Sequence, residues 1–192
     1  MRLLLASNSP RRRELLRLIA PDFAIASMHD IDETYPPTLP TAEVPLFLSQ
    51  LKAKAYSADL VPGEVIITAD TVVINDGKIL GKPHTDEEAV NMLMSLMGHT
   101  HTVVTGVTLT STEKTDSFAE STEVTFDTIS KNEIEWYVQN YRPLDKAGAY
   151  GIQEWIGCVA ISSIKGCFYN VMGLPLHTLY EHLRRFGKFT EE

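Results

Sequence analysis

Apolar and polar residues group along the chain into segments with the periodicities of strands and helices. Leu3–Leu5 is a short apolar run typical of a strand, and a polar turn and a helical pattern that ends near Ala20 follow it. Glu64–Ile74 is a nearly unbroken apolar and β-branched run, as expected for a strand covered on both faces. From Thr41 to about Leu60 apolar residues recur at helical spacing. Strands and helices are therefore expected to alternate along the chain.

Turn and capping signals divide the rest of the chain into further elements. Asn75-Asp76-Gly77 predicts a tight hairpin turn, and capping boxes at Thr85–Glu88 and Ser130–Glu133 predict two helix starts. The other expectations are an apolar helix stripe of Val44, Leu48, Leu51 and Ala55, antiparallel strands at Thr102–Thr110 and Ala119–Phe126 joined by a loop at Ser111–Ser117, a strand at Ile156–Ile164 and a closing helix from Pro175 to about Phe186. No linker is long enough to separate independent domains, so one domain over residues 1–192 is expected.

The turn before the first helix has the composition of an anion site. Ser9 suits the N-cap and Pro10 the first helical position, which places Arg11–Arg13 in the first turn. Cations there oppose the helix dipole by about 0.3–1 kcal/mol each, so three of them make most sense beside a bound anion. The hydroxyls of Ser7 and Ser9 would complete a phosphate cradle. The alternative is a solvated face in which the arginines pair with Glu14 and other acids.

Two acidic residues and two lysines are further candidates. Asp70 interrupts a strongly apolar strand, so its carboxylate must be paired, hydrogen-bonded or bound to metal. It is expected either to cap a turn locally or to emerge at a strand end into a cleft. Glu33 follows other acids in a loop and is a candidate metal or phosphate-site ligand. Lys52 and Lys54 cannot share one helix face, and spacing does not decide which of them enters a site.

Two later motifs also carry polar side chains suited to a ligand. The hairpin at Asn75–Gly77 is expected to bring Lys82, between a glycine and a proline, close to the strand that carries Asp70. Gln153 follows a segment of small residues and offers both a donor and an acceptor, which suits the edge of a base. Turn formation and close packing are the alternatives for the two segments.

Length, charge and cysteine usage narrow the class of protein. A chain of 192 residues with 44% hydrophobic and 22% charged residues can form one sizeable core, or one core divided by a cleft. The net charge of −8 argues against a partner that is a nucleic acid polymer. Cys158 and Cys167 form neither a metal-ligand spacing nor a disulfide framework, which favours a reducing compartment. The first apolar run is too short for a signal peptide or a membrane span, so a cytoplasmic protein without a membrane partner is expected.

In their order along the chain, these motifs resemble the Maf-type nucleoside triphosphate pyrophosphatases. The resemblance runs from Leu4 to about Leu176. It rests on A-S-N-S-P-R-R at Ala6–Arg12, Glu33, L-K-A-K-A at Leu51–Ala55, A-D-T-V-V at Ala69–Val73, G-K-P at Gly81–Pro83, K-A-G-A-Y-G-I-Q at Lys146–Gln153 and N-V-M-G-L-P-L at Asn170–Leu176. Each motif alone is weak, whereas the ordered set is specific. The chain departs from the family at Glu154-Trp155, where many members have small residues.

The resemblance implies a fold, a reaction and a role for each matching residue. It implies a mixed α/β fold with a twisted central sheet, flanking helices and a cleft between two lobes, similar to the inosine triphosphatases. The implied enzyme is a nucleoside triphosphate diphosphatase that forms a monophosphate and pyrophosphate with Mg²⁺ or Mn²⁺. The implied roles are general base and metal ligand for Asp70, metal ligand for Glu33, triphosphate binding for Ser9, Arg12, Lys52 and Lys82, and substrate choice for Arg12, Thr71 and Gln153. Ser7 and Arg11 join the triphosphate site through the cradle inferred above.

The combination at the substrate-choice positions resembles the dTTP/UTP branch rather than the branch that acts on 7-methyl-GTP. The resemblance also suggests a homodimer. Three alternatives stay open at this point: a nucleotide-binding regulator of septum formation without turnover, a purine-directed pyrophosphatase on a similar fold, and an interaction domain with an exposed apolar patch. The buried character of Asp70 argues against the last of these.

Overall fold

The computed structural model describes residues 1–187 and contains a seven-stranded mixed sheet flanked by helices. The strand order is β2-β1-β3-β5-β6-β7, and β4 pairs with β3 beside this path. The strands are β1 (Arg2–Leu5), β2 (Phe23–Ile25), β3 (Glu64–Asn75), β4 (Lys78–Leu80), β5 (Thr100–Thr110), β6 (Thr115–Phe126) and β7 (Ile161–Lys165). The helices are α1 (Pro10–Ile19), α2 (Val44–Tyr56), α3 (Asp86–Leu96), α4 (Lys131–Tyr141), α5 (Trp155–Val159), α6 (Phe168–Met172) and α7 (Leu176–Arg185). The predicted mixed α/β class is confirmed.

The first strand lies between two parallel neighbours. β1 pairs in parallel with β2 on one side and with β3 on the other, so that Leu3 lies opposite both Phe23 and Val65. Leu3 and Leu5 are fully buried. Parallel strands are usually covered on both faces, which explains the near-continuous apolar character of β1 and β3.

The predicted hairpin at Asn75-Asp76-Gly77 is confirmed. β3 and β4 are antiparallel, with Val73 opposite Leu80 and Asn75 opposite Lys78. Asp76 and Gly77 both have positive φ angles, of 48° and 73°, as a tight two-residue hairpin turn requires. β4 therefore runs back along β3, and Lys82 follows the end of β4 in the sequence.

Contacts within the chain divide it into two compact units. The first unit contains Met1–Asp70, Thr105–Glu120 and the C-terminal segment from Gly173, and the second contains Thr71–Val104 and Ser121–Met172. The single domain and the cleft that the sequence suggested both stay predictions. No helix in residues 1–187 is both long enough and apolar enough to span a bilayer.

In the first unit, α2 begins directly on the backbone of β5. A Cβ atom added to Gly106 would lie 2.3 Å from the backbone nitrogen of Leu46 and 2.4 Å from the carbonyl oxygen of Pro45. The predicted stripe on α2 is therefore wrong in part. Leu51 and Ala55 are partly exposed, whereas Val44, Pro45, Leu48, Ser49, Ala53 and Tyr56 are buried. The close approach rotates the helix from the position that apolar spacing alone indicated.

In the second unit, the segment after Gln153 is not the single strand that the sequence predicted. It forms the short helix α5 and only then β7. A Cβ atom on Gly157 would lie 1.8 Å from the carbonyl oxygen of Ile152, so the absence of a side chain lets α5 pack against its own preceding turn. Apolar periodicity in such a short segment does not distinguish a buried helix from a strand.

The predicted helix starts are confirmed with one difference in detail. Ser130 and Glu133 exchange both hydrogen bonds of a capping box at the start of α4. The Thr85 hydroxyl accepts a hydrogen bond from the backbone N–H of Glu88 at 3.1 Å. The Glu88 carboxylate, however, accepts from the backbone N–H of His84 at 2.7 Å, so the second half of that capping box is wrong.

The two central strands are longer than predicted. β5 and β6 are neighbours in the sheet and are joined by a four-residue turn rather than by the loop expected at Ser111–Ser117. The Ser111 hydroxyl accepts hydrogen bonds from the backbone N–H groups of Glu113 and Lys114, at 3.2 and 3.1 Å. Inside the turn this hydroxyl thus satisfies backbone N–H groups that have no partner strand, and β5 and β6 extend up to the turn on either side.

We expect Gly106→Ala to lower the free energy of unfolding by about 2–3 kcal/mol, because the added methyl group must displace the backbone of Pro45 and Leu46. Gly81→Ala is the matched control, since a Cβ atom there meets nothing within 4 Å. Urea unfolding measures both variants. Equal stability of the two would contradict the close approach.

Burial holds the pKa of His101 at about 4, well below its ordinary value. Its ring lies in the core of the second unit, with Nε2 2.7 Å from the hydroxyl of Tyr150. Because the unfolded chain takes up a proton below about pH 6.5 and the folded chain does not until about pH 4, the free energy of unfolding is expected to fall by about 3 kcal/mol over that range.

The His101→Gln variant should lose this part of the pH dependence, whatever its absolute stability. Equilibrium unfolding between pH 4 and pH 7 measures the slope. His84→Gln, at an exposed position, is the control and should retain the slope of the unaltered protein. An unchanged slope in His101→Gln would show that other groups cause the acid sensitivity.

Candidate active site

The turn between β1 and α1 is organised by its two serine residues. The Ser9 hydroxyl caps α1 by accepting a hydrogen bond from the backbone N–H of Arg12 at 3.4 Å. The backbone N–H of Ser9 in turn donates to the hydroxyl of Ser7 at 3.2 Å. The predicted N-cap is therefore confirmed, and the first turn of α1 contains no acidic residue.

Two of the three arginines in that first turn donate to backbone carbonyl oxygens. Arg13 reaches back to the carbonyl oxygen of Ser7, at 3.2 Å from Nε and 3.0 Å from Nη2. Arg12 donates from Nε to the carbonyl oxygen of Gly173 at 2.8 Å and from Nη1 to that of Ala69 at 3.0 Å. Arg13 therefore binds backbone oxygens rather than the acids expected for a solvated face. Arg12 links the start of α1 to the strand residue that precedes Asp70.

Lys52 connects the two candidate carboxylates. Its Nζ atom lies 2.8 Å from an oxygen of Asp70 and 2.9 Å from an oxygen of Glu33. The side chains of Lys52 and Asp70 are 14% and 16% exposed, whereas Glu33 is 51% exposed. Lys54 is exposed, so Lys52 is the one of these two lysines that faces the carboxylates. Three separate segments of the first unit meet at this one ammonium group.

Asp70 is paired, as the sequence required, but it does not lie at a strand end. It sits within β3, which continues to Asn75. The strand continues because the hairpin with β4 extends β3 beyond Asp70. Neither the local turn cap nor the strand-end position is therefore observed. The carboxylate is instead neutralised by a lysine from the neighbouring helix α2.

The charges of this cluster act on Arg12 in opposite directions. Burial lowers the pKa of its guanidinium and the carboxylate of Asp70 raises it, while Arg11 lowers it and Glu33 raises it by smaller amounts. Arginine nevertheless remains a cation at neutral pH. Two cations and two carboxylates are therefore present together at Arg12, Lys52, Glu33 and Asp70.

The donor set fits a divalent cation that is held partly by a phosphate ligand. No group of three or more His, Cys, Asp or Glu side chains suited to a metal ion occurs in residues 1–187. Glu33 and Asp70 offer two carboxylates that share one ammonium group. Mg²⁺ is commonly held by one or two carboxylates together with substrate phosphates and water, rather than by a complete protein cage.

The remaining predicted site residues lie in the second unit. Thr71 is half-buried, whereas Lys82 and Gln153 are exposed. The backbone of this unit brings three of the motifs together: the N–H of Gly148 donates to the carbonyl oxygen of Gly81 at 3.0 Å, and a Cβ atom on Gly148 would lie 3.0 Å from Val73. Small residues around Gly148 thus serve close packing, which was one of the two alternatives for that segment.

Glu154, where the chain departs from the family pattern, points into a buried polar network. One of its carboxylate oxygens lies 3.1 Å from Nζ of Lys146, and the other accepts a short hydrogen bond from the hydroxyl of Tyr137. Neither the pairing of Lys146 nor the role of Tyr137 was predicted from the sequence, although the unusual acid Glu154 directly after the Lys146–Gln153 motif was a signal. The carbonyl oxygen of Gly173 was also missed, since a backbone acceptor leaves no trace in side-chain chemistry.

Comparison with known proteins defines the class and then the family. Over 97% of the chain the fold is similar to the solved structure titled as the Staphylococcus aureus Ham1 protein, with a TM-score of 0.58, 16% identity and 100% of that chain covered. The family model described as Maf-like protein matches residues 2–186. The chain therefore belongs to the Maf family, as the resemblance of its motifs indicated.

Curated relatives match nearly the whole chain. A Bacteroides thetaiotaomicron protein is 52% identical over 183 residues, covering 95% of each chain. A Porphyromonas gingivalis protein is 51% identical over 189 residues, covering 97% of this chain and 95% of its own length. Both relatives are named dTTP/UTP pyrophosphatase.

We expect Lys52→Met to lower the free energy of unfolding by about 2–3 kcal/mol, because it removes the cation that pairs directly with the largely buried Asp70 carboxylate. Lys54→Met, an identical change at an exposed position two residues later, should have an effect within about 0.5 kcal/mol. Urea unfolding of both variants, at neutral pH, measures the difference.

A double-mutant cycle tests the pair directly. Asp70→Asn should recover part of the stability lost in Lys52→Met, because it removes the uncompensated charge. Additive effects of the two substitutions would contradict a coupled ion pair.

Proposed function

We propose that this protein hydrolyses dTTP and UTP to the nucleoside monophosphate and pyrophosphate. The observation that carries the proposal is the contact of Lys52 with both Glu33 and Asp70 beside Arg12. Such an arrangement offers cations for phosphate oxygens and a carboxylate for a water molecule. The names of relatives that are about half identical over nearly the whole chain support the choice of nucleotides.

The triphosphate would be bound by Ser7, Ser9, Arg11, Arg12, Lys52 and Lys82. At the start of α1 the helix dipole and the arginine cations favour an anion, and the absence of acidic residues from that turn supports this role. The phosphates would compete with the carboxylates of Glu33 and Asp70 for the Lys52 ammonium. Movement of that ammonium toward phosphate would leave Asp70 able to accept a proton.

In the reaction, Asp70 would act as the general base. A water molecule donates its proton to the Asp70 carboxylate while its oxygen bonds to the α-phosphorus of the nucleotide. The anhydride P–O bond breaks, and pyrophosphate leaves with the electron pair. Lys52 and Arg12 would stabilise the negative charge that moves onto the phosphate oxygens, and catalysis would consist mainly of positioning and charge stabilisation.

Glu33 and Asp70 would hold a divalent cation, Mg²⁺ or Mn²⁺. When bound, the cation supplies neutralisation of the phosphate charge. Nucleotide choice would depend on Arg12, Thr71 and Gln153, in accordance with the family resemblance. The homodimer and the cytoplasmic location suggested by the sequence stay predictions.

We expect Asp70→Asn to lower kcat for dTTP and UTP by about 10²–10⁴-fold, the range typical of a lost general base. Binding of the nucleotide should remain measurable, because the cations stay in place. Pyrophosphate and monophosphate released from a panel of canonical nucleotides and 7-methyl-GTP, with Mg²⁺ or Mn²⁺, provide the measurement.

Asp76→Asn is the matched control, since Asp76 is exposed in the hairpin turn and should have nearly full activity. Near-normal turnover in Asp70→Asn would remove Asp70 from the role of base. An unaltered protein that binds nucleotides without releasing pyrophosphate would favour the regulator instead.

A further inference from the structure

Gln153 lies in a short turn whose two ends meet. The backbone N–H of Glu154 donates to the carbonyl oxygen of Gly151 at 3.0 Å, which closes the four-residue turn around Ile152 and Gln153. A Cβ atom on Gly151 would lie 2.7 Å from the Glu154 side chain, so the two ends are in close contact. Ile152 is buried and Gln153 is exposed, so the turn presents one polar side chain to its surroundings.

The hydroxyl of Tyr137 contacts both ends of this turn. It accepts a hydrogen bond from the backbone N–H of Gly151 at 3.1 Å and donates to the carboxylate of Glu154. The Tyr137 side chain comes from α4 and is fully buried. Burial, followed by the bond to Glu154, raises the pKa of its hydroxyl, which therefore keeps its proton as a donor.

Lys146 stabilises the negative charge of the Glu154 carboxylate. Its Nζ atom lies 3.1 Å from Glu154 and 2.8 Å from Asp145, and its side chain is only 9% exposed. A carboxylate at the mostly buried position of Glu154 is costly unless it has a cation and a donor, and Lys146 and Tyr137 provide them. The chain therefore carries a charged network directly beside the residue proposed to contact the base.

We infer that Tyr137, Glu154 and Lys146 form a positioning clamp that fixes the Gly151–Glu154 turn and thereby makes Gln153 selective for uracil and thymine over cytosine. This inference rests on the proposed function of the protein as a nucleotide pyrophosphatase. The three side chains are positioning residues, since Tyr137 and its partners act on the base through Gln153.

The chemistry of an amide explains why position matters. A glutamine side chain has one acceptor and one donor group, and rotation by 180° exchanges them. Uracil and thymine present an acceptor and a donor in the reverse order to cytosine, so a loosely held amide pairs with either. An amide held at one distance and angle discriminates, because the wrong base leaves buried polar groups unpaired.

The test is the ratio of kcat/KM for UTP to kcat/KM for CTP in Tyr137→Phe. This change removes only the hydroxyl and keeps the buried ring. We expect the ratio to fall about tenfold, the effect of one well-aligned hydrogen bond, mainly through a higher KM for UTP. Partial loss of folded protein would lower kcat for both nucleotides equally and leave the ratio unchanged.

Tyr141→Phe is the matched control. Tyr141 stacks on Tyr137 with ring centroids 5.0 Å apart, lies one helical turn later on α4 and is partly exposed. Its variant should retain the ratio of the unaltered protein. Equal ratios in Tyr137→Phe and the unaltered protein would overturn the clamp.

Glu154→Gln provides a second variant in case Tyr137→Phe does not fold. The amide oxygen can still accept from Tyr137, but the ion pair with Lys146 is lost, so we expect a smaller fall in the ratio, about threefold. If only this variant folds, an unchanged ratio in it overturns the inference. An unaltered protein that releases no pyrophosphate from UTP or dTTP overturns the proposed function and this inference together. An active protein with unchanged ratios in its variants overturns the clamp alone.

Discussion

The Lys52 ammonium is the interaction on which the arrangement of the first unit depends. Without it, the largely buried Asp70 carboxylate in β3 would lose its direct ion pair and keep only the nearby charge of Arg12, which would destabilise the fold. The same ammonium contacts Glu33, which belongs to a loop without regular structure. One cation thus ties a loop and a strand to α2. A polyphosphate ligand would compete with Glu33 and Asp70 for the same Lys52 ammonium.

A lysine shared by two acids occurs in the second unit as well, with different surroundings. Lys146 lies between Asp145 and Glu154, and its side chain is more completely buried than that of Lys52. The hydroxyl of Tyr137 adds a neutral donor to this second network. Each cluster also includes an exposed acid, since Asp145 is 56% exposed and Glu33 is 51% exposed. The second network differs in that the Tyr137 hydroxyl and Lys146 both bind the mostly buried Glu154, which makes that part of it more rigid.

The sequence predicted the secondary-structure elements better than the geometry of the candidate site. Ser9 and Pro10 defined the start of α1, and Asn75–Gly77 defined the hairpin, because capping and turn chemistry are local. The position of Asp70 inside β3 was missed, since the extent of a strand depends on a partner strand. The sequence could not predict which lysine faces the carboxylates for a similar reason. Helical spacing places Lys52 and Lys54 on different faces but does not show which face lies beside Glu33 and Asp70. The helix α5 was predicted as part of a strand, because the close packing of Gly157 on the backbone of Ile152 cannot be read from apolar spacing.

Arg12 contacts Ala69 and Gly173 through their main-chain oxygens. Every amino acid has such an oxygen, so these two bonds do not themselves select the side chains at positions 69 and 173. Burial of Ala69 and the positive φ of 111° at Gly173 restrict those positions instead. The guanidinium itself has no comparable substitute, since lysine lacks its planar fork. The constraint that these bonds impose should therefore fall on the donor, whereas packing and backbone conformation restrict the two acceptor positions. Transferring the Arg12 interactions to another scaffold therefore requires two backbone carbonyl oxygens in the same positions, in addition to the arginine side chain.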